Sequence, residues 1–147
     1  MNSQTVTVRK ALSASREEVF DAWLDADGMV EWMRPGQAND CEVTLEPCVG
    51  GHFCIVMTSP DPGVEIVNRG EILVLDRPSK LQFTWVSSRW GAQETLVTVE
   101  LHELDAGCEL VLTHERFPIE HSSQQLVSGW NQILEKLSGH LGFIRNP

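Results

Sequence analysis

THERFPIEHSSQQLVSGWNQILEKLSGHL, residues 113–141, decides the fold. It opens as the end of a strand and continues as a long helix. Leu126, Trp130, Ile133, Leu134, Leu137 and Leu141 recur at steps of three and four, which places them on one stripe of an α-helix. About 20 helical residues extend roughly 30 Å, enough to cross a small domain. Ser122 and Gln125 form a capping-box pattern at its head. A helix with one apolar stripe needs an apolar surface to lie on.

That surface comes from the residues upstream, where the period switches to two. Thr5 to Leu12 alternates, with Val6 and Val8 against Thr5 and Thr7. Cys41 to Glu46 and His52 to Met57 flank the turn residues Pro47 to Gly51, and Phe53, Ile55 and Met57 share a face. Ser59 to Gly63 (SPDPG) breaks regular structure. Ile66 to Leu75 and Leu81 to Val86 flank a hairpin at residues 76–79, and Phe83 and Trp85 share a face. A polar connection carrying Trp90 follows, from Ser87 to Gln93. Thr95 to Leu104 and Cys108 to Glu115 then form a hairpin around Ala106-Gly107. Counting back from that turn pairs Leu101 with Leu112 and Val99 with His114. The inner face then carries Val97, Val99, Leu101, Leu110, Leu112 and His114.

Two short helices interrupt the strands near the start. Ser15 and Glu18 make a capping box ahead of Val19, Phe20, Trp23 and Leu24, which fall on one face. Asp27 and Gly28 break this helix, and Met29 to Met33 forms another turn, stopped by Pro35-Gly36. A first strand, two short helices, about six strands in hairpins and a long final helix make an α+β domain. With no internal repeat or linker, residues 1–147 read as a single domain.

Composition excludes several classes of function. The 147 residues carry a net charge of −10, which gives no electrostatic footprint for nucleic acid or for acidic membrane surfaces. No apolar run approaches the ~20 residues of a membrane span, and MNSQTVTVRK lacks the apolar core of a signal peptide. A cytoplasmic protein with free thiols at Cys41, Cys48, Cys54 and Cys108 is expected. The spacing Cys41, Cys48, His52, Cys54 matches no usual zinc knuckle, so no metal or other cofactor is expected. There is no tyrosine. Acid/base chemistry in an apolar interior would therefore fall to His, carboxylates or thiols.

Several stretches together resemble the START-like (SRPBCC, Bet v 1-like) superfamily. More narrowly, they resemble the group named after the C-terminal domain of the activator of the Hsp90 ATPase. They are VRKALSASREEVFDAWLDADGMVEWM, the VGG-x-F turn at Val49 to Phe53, Gly70, KLQFTW at Lys80 to Trp85, VTVEL at Val97 to Leu101, LVLTHERF at Leu110 to Phe117, and Gly129-Trp130. The resemblance implies a helix-grip fold, in which a curved antiparallel sheet holds the long C-terminal helix over an apolar cavity. It does not imply one function, since superfamily members include lipid and hormone binders, polyketide cyclases, oxygenase subunits and co-chaperone domains. The function expected here is binding of a small hydrophobic ligand, lipid-like or aromatic, between the sheet and that helix.

The residues expected to line that cavity are Trp32, Met33, Phe53, Met57, Phe83, Trp85, Val99, His114, Trp130 and Leu134. His114 would supply a polar contact. In an alternative cyclase, dehydratase or hydrolase it would be the general acid/base. Arg69, Glu71 and Arg89 are candidates for a ligand headgroup. A chaperone partner is a further alternative. The eukaryotic co-chaperone has an additional N-terminal chaperone-binding domain, whereas this sequence opens on the helix-grip part. Trp90 and an edge strand would permit a homodimer.

Overall fold

The computed structural model describes residues 3–33, 40–58, 65–88, 93–118 and 123–145. The elements in chain order are β1 (Ser3–Leu12), α1 (Arg16–Ala22), α2 (Ala26–Trp32), β2 (Asp40–Leu45), β3 (His52–Thr58), β4 (Glu65–Asp76), β5 (Lys80–Ser87), β6 (Glu94–Leu104), β7 (Gly107–Pro118) and α3 (Ser123–Arg145). Among the described residues the seven strands form one antiparallel sheet in the order β1-β7-β6-β5-β4-β3-β2. Strands β2 to β7 follow one another as neighbours, and β1 returns to pair with β7. The result is the α+β, helix-grip arrangement, with the helices gathered on the concave face of the sheet.

Alternation determines which side chains face inward. In β3, Phe53, Ile55 and Met57 are buried while His52 is exposed and Cys54 half-buried. In β5, Leu81, Phe83 and Trp85 are buried. Helix α3 lays Trp130, Ile133, Leu134, Leu137 and Leu141 on this surface, and Leu126 packs at its margin. Each such burial contributes about 2 kcal/mol. The Ser15–Glu18 capping box forms, with both of its hydrogen bonds at 3.1 Å.

Three details differ from the sequence reading. The β6–β7 hairpin closes at Leu104↔Gly107 around Asp105-Ala106, so Leu101 pairs with Leu110, Val99 with Leu112 and Val97 with His114. The slip is two residues, and because side chains alternate with period two the inward set is unchanged. Asp27 and Gly28 lie inside α2, and the break between the short helices falls at Trp23 to Asp25. The turn at Pro47 to Gly50 sets Cys41 near Val56 by counting, whereas Cys41 pairs with Met57. Pro35-Gly36, the 59–63 loop, Arg89 and Trp90, and the Ser122 end of the second capping box lie outside the described residues.

Gly70 shows how closely the cavity wall is built. It is the cross-strand partner of Phe53. A Cβ at this position would lie 1.9 Å from the Thr84 carbonyl oxygen and 2.8 Å from the Phe53 ring. Phe53 therefore occupies space that only glycine leaves open. Gly70→Ala should lower stability by about 2 kcal/mol or more, as overpacking does where the obstacle is backbone. By contrast, a Cβ at Gly129 meets nothing within 4 Å. Gly129→Ala should raise stability by about 0.5–1 kcal/mol through helix propensity. Chemical denaturation of the two variants checks both signs.

Candidate functional site

Seven rings gather on the concave face. Trp23 stands edge-on to Trp32 with centroids 4.9 Å apart, and lies 6.1 Å from Phe83 and 6.4 Å from Trp130. Phe53 stands edge-on to Phe83 at 5.4 Å, and Trp85 lies 5.8 Å from Phe53 and 5.4 Å from Trp130. His114 completes the cluster, 5.9 Å from Trp130 and 6.4 Å from Trp85. Offset and edge-to-face contacts of this kind add about 0.5–1.5 kcal/mol per pair beyond area burial. The rings come from α1, α2, β3, β5, β7 and α3, so the cluster joins both helical segments to the sheet.

The cluster has two unlike ends. At the His114 end every polar group is met. Trp130 Nε1–H donates to His114 Nδ1 at 3.0 Å. An indole nitrogen can only donate, so Nδ1 must be the unprotonated acceptor and the proton sits on Nε2. Nε2–H then donates to Thr95 Oγ1 at 2.7 Å, and the Thr95 hydroxyl donates to the Trp85 carbonyl oxygen at 2.6 Å. His114 is fully buried, and burial lowers its pKa from 6.5 to about 3. The imidazole is neutral at physiological pH with both nitrogens engaged, an arrangement that holds α3 to β5, β6 and β7. It leaves neither nitrogen placed for proton transfer with a substrate.

The other end is open. A cavity of about 30 Å3 lies between α1–α2 and the β2–β5 half of the sheet. That volume holds about one water molecule. Trp23, Leu24, Met29 and Met33 form its helical side, and Leu45, Phe53, Ile55, Ile72, Leu75, Leu81, Phe83 and Trp85 its sheet side. Two buried indole N–H groups at this end, those of Trp23 and Trp32, have no hydrogen-bond partner. The two residues are 4% and 0% exposed.

Of the ten residues expected to line a cavity, Met33, Phe53, Phe83 and Trp85 do so. Trp32, Met57, Val99, His114, Trp130 and Leu134 are buried around it in the packed interior, outside the cavity lining. The expected space lies between the sheet and α3; around Trp130 and His114 that region is packed, and a groove bordered by Val6, Val127 and Asn131 runs between β1 and α3. The lining residues outside the expected set are Trp23, Leu24, Met29, Leu45, Ile55, Ile72, Leu75 and Leu81. Trp23, Leu24 and Ile55 stand on faces that the sequence pattern marks as apolar, but which inward side chains border a void depends on where the helices cross the sheet. Arg69 and Glu71 lie with His52, Cys54, Thr84 and Glu94 in a groove on the opposite, convex face, so they cannot meet a ligand in this cavity. Cys41 is buried, donating to the Met33 carbonyl oxygen, while Cys48 is exposed. Among the described residues no group of three or more His, Cys, Asp or Glu could hold a metal. None of the described helices is long and apolar enough to cross a membrane.

The family model described as Activator of Hsp90 ATPase homolog 1-like protein matches residues 13–142. The chain belongs to this family. Solved structures share its fold across nearly the full length. A Chromobacterium violaceum protein is 24% identical, with 93% of this chain and 96% of that chain covered and a TM-score of 0.86. A Rhodobacter sphaeroides protein is 21% identical, with coverage of 94% and 92% and a TM-score of 0.82. A Staphylococcus aureus protein of unknown function is 17% identical, with coverage of 99% and 98% and a TM-score of 0.81. No curated protein matches the chain.

The His114 network has a consequence for acid stability. Its folded pKa lies below the unfolded value, so between the two the unfolded chain binds the extra proton and stability rises with pH. The contribution is complete above about pH 6.5 and is lost as pH falls toward about 3. The loss is on the order of 1.4 kcal/mol per pH unit. Melting temperature should therefore decline from pH 7 to pH 5, before most carboxylates titrate. Over the same range, nitrogen NMR of His114 should show an unchanged neutral ring protonated at Nε2. A ring that titrates near pH 6.5 would contradict this assignment.

Proposed function

We propose that the protein binds a small hydrophobic ligand, lipid-like or aromatic, in the cavity between α1–α2 and the β2–β5 half of the sheet. The observation that carries this reading is an unfilled space whose walls are aromatic and aliphatic side chains, bordered by Trp23, Phe53, Phe83 and Trp85. Concave apolar sites with few polar groups are the usual form of small-molecule sites. Fold alone does not name the function, and the family description speaks of a chaperone activity. The cavity favours a ligand-binding role for this chain.

Ligands of ordinary size need more than 30 Å3, so binding requires the wall to yield. Helix α2 is the part suited to yielding. It has seven residues, includes Gly28, and its N-cap Asp25 makes no side-chain capping bond. A helix this short holds its shape by packing rather than by its own stability. Met29 and Met33, which it carries into the cavity, are flexible side chains that conform to irregular shapes.

Titration with a panel of neutral aromatic and lipid-like compounds should quench or shift tryptophan emission and raise the melting temperature. At a hundredfold excess over Kd the gain is about 2.7 kcal/mol. Leu81→Phe, which adds bulk to the cavity wall, should abolish both responses while leaving the protein folded. Unchanged emission and melting temperature across the panel would overturn the proposal, and so would full responses in Leu81→Phe.

A further inference from the structure

The cavity wall is apolar, and one of its lining residues, Trp23, carries a buried indole N–H that no group meets; together these specify the ligand more narrowly. We infer that the ligand is a neutral apolar molecule bearing one hydrogen-bond acceptor, a carbonyl or ether oxygen, which is received by the indole N–H of Trp23. This inference rests on the cavity being the binding site.

Trp23 stands at the junction between α1 and α2, as the C-cap of α1, and its ring forms part of the cavity wall. It is 4% exposed, and its Nε1–H has no hydrogen-bond partner. Buried donors are nearly always paired, and an unmet one lowers stability by about the desolvation penalty of the group. The contrast within the cluster is informative. Trp130, whose indole N–H is equally enclosed, donates to His114. The pairing that is complete at the α3 end is thus left unmade at the cavity end. The unmet donor belongs to a residue that borders the empty space.

Charge narrows the acceptor further. The described lining residues include no Lys, Arg or His. A carboxylate placed there would lose its hydration with no cation to offset the loss. The net charge of −10 would also repel an anion on approach. A neutral oxygen loses far less on entry and regains a hydrogen bond from Trp23. An aromatic ketone or aldehyde, an ester or an aryl ether has this chemistry.

The test uses a matched pair of probes, 2-acetylnaphthalene and 2-isopropenylnaphthalene. These have nearly the same shape, but a C=CH2 group replaces the C=O group in the second. Affinities are measured in the intact protein and in Trp23→Phe, which keeps a ring and removes the N–H. The ratio of ketone to hydrocarbon affinity should fall about tenfold in Trp23→Phe. In the unsubstituted protein, the Trp23 indole N–H proton resonance should move downfield with the ketone and not with the hydrocarbon. That measurement stands even if Trp23→Phe fails to fold. 2-Naphthoate should bind more weakly than the ketone.

An affinity ratio unchanged in Trp23→Phe, or an indole resonance that responds to both probes alike, would overturn the inference while leaving the cavity as a binding site. A resident water satisfying the indole would produce that same result. Tighter binding of 2-naphthoate than of the ketone would overturn the neutral-acceptor assignment. Binding of no probe would remove the inference together with the reading it rests on.

Discussion

The indole of Trp130 donates to His114, His114 donates to Thr95, and Thr95 donates to the Trp85 carbonyl. Without this chain, the buried contact of the long helix with the sheet would be apolar, which is strong but tolerant of sliding, with the exposed Lys10–Glu135 ion pair at its edge. Hydrogen bonds are directional, and a buried one broken by sliding costs the full desolvation of both groups. The chain therefore fixes which turn of α3 faces which strand. It also fixes the Trp130 ring, and through it the rotational setting of Trp85, 5.4 Å away. An imidazole suits the junction because, as a neutral ring, it accepts at one nitrogen and donates at the other. Burial that keeps it neutral is thus part of how the junction works.

Fixing α3 divides the concave face into two regions with different rules. The region over β5, β6 and β7 is closed by the long helix and has its polar groups satisfied. The region over β2 to β5 is closed by α1 and α2, which are seven residues each. Short helices cannot lay down a long continuous apolar stripe, and the join between them at Trp23 to Asp25 interrupts even that. A residual space is the geometric outcome of covering a curved sheet with two short rods meeting at an angle.

Much of this was legible in the sequence, and the reasons differ from residue to residue. The period of two in His52 to Met57 and Leu81 to Val86 gave the inward faces, because alternation is a property of the backbone. The Ser15–Glu18 cap was readable because both partners lie within four residues. The β6–β7 register was misjudged by two residues, yet the inward face survived because two is the period of the strand. The position of the cavity was not legible. It depends on where α1 and α2 cross strands β2 to β5, and no local pattern encodes that crossing. His114 was legible as an inward-facing polar residue. Its occupation by Trp130 and Thr95 was not, since those partners come from α3 and β6.

The energetics at the yielding end all point in one direction. A void of about 30 Å3 costs roughly 1 kcal/mol in lost packing, and an unmet buried donor about 1–3 kcal/mol more. Trp23 both borders the void and carries the unmet donor, and on the proposed reading one ligand would relieve both costs. The His114 end has no comparable deficit, so a ligand there would have to break bonds already made. Affinity gained by relieving a deficit needs no new surface to be built, and the flexible thioethers of Met29 and Met33 can move aside at low cost. On the proposed reading, the void and the unmet donor set the ligand preference, an apolar body with one oxygen to offer.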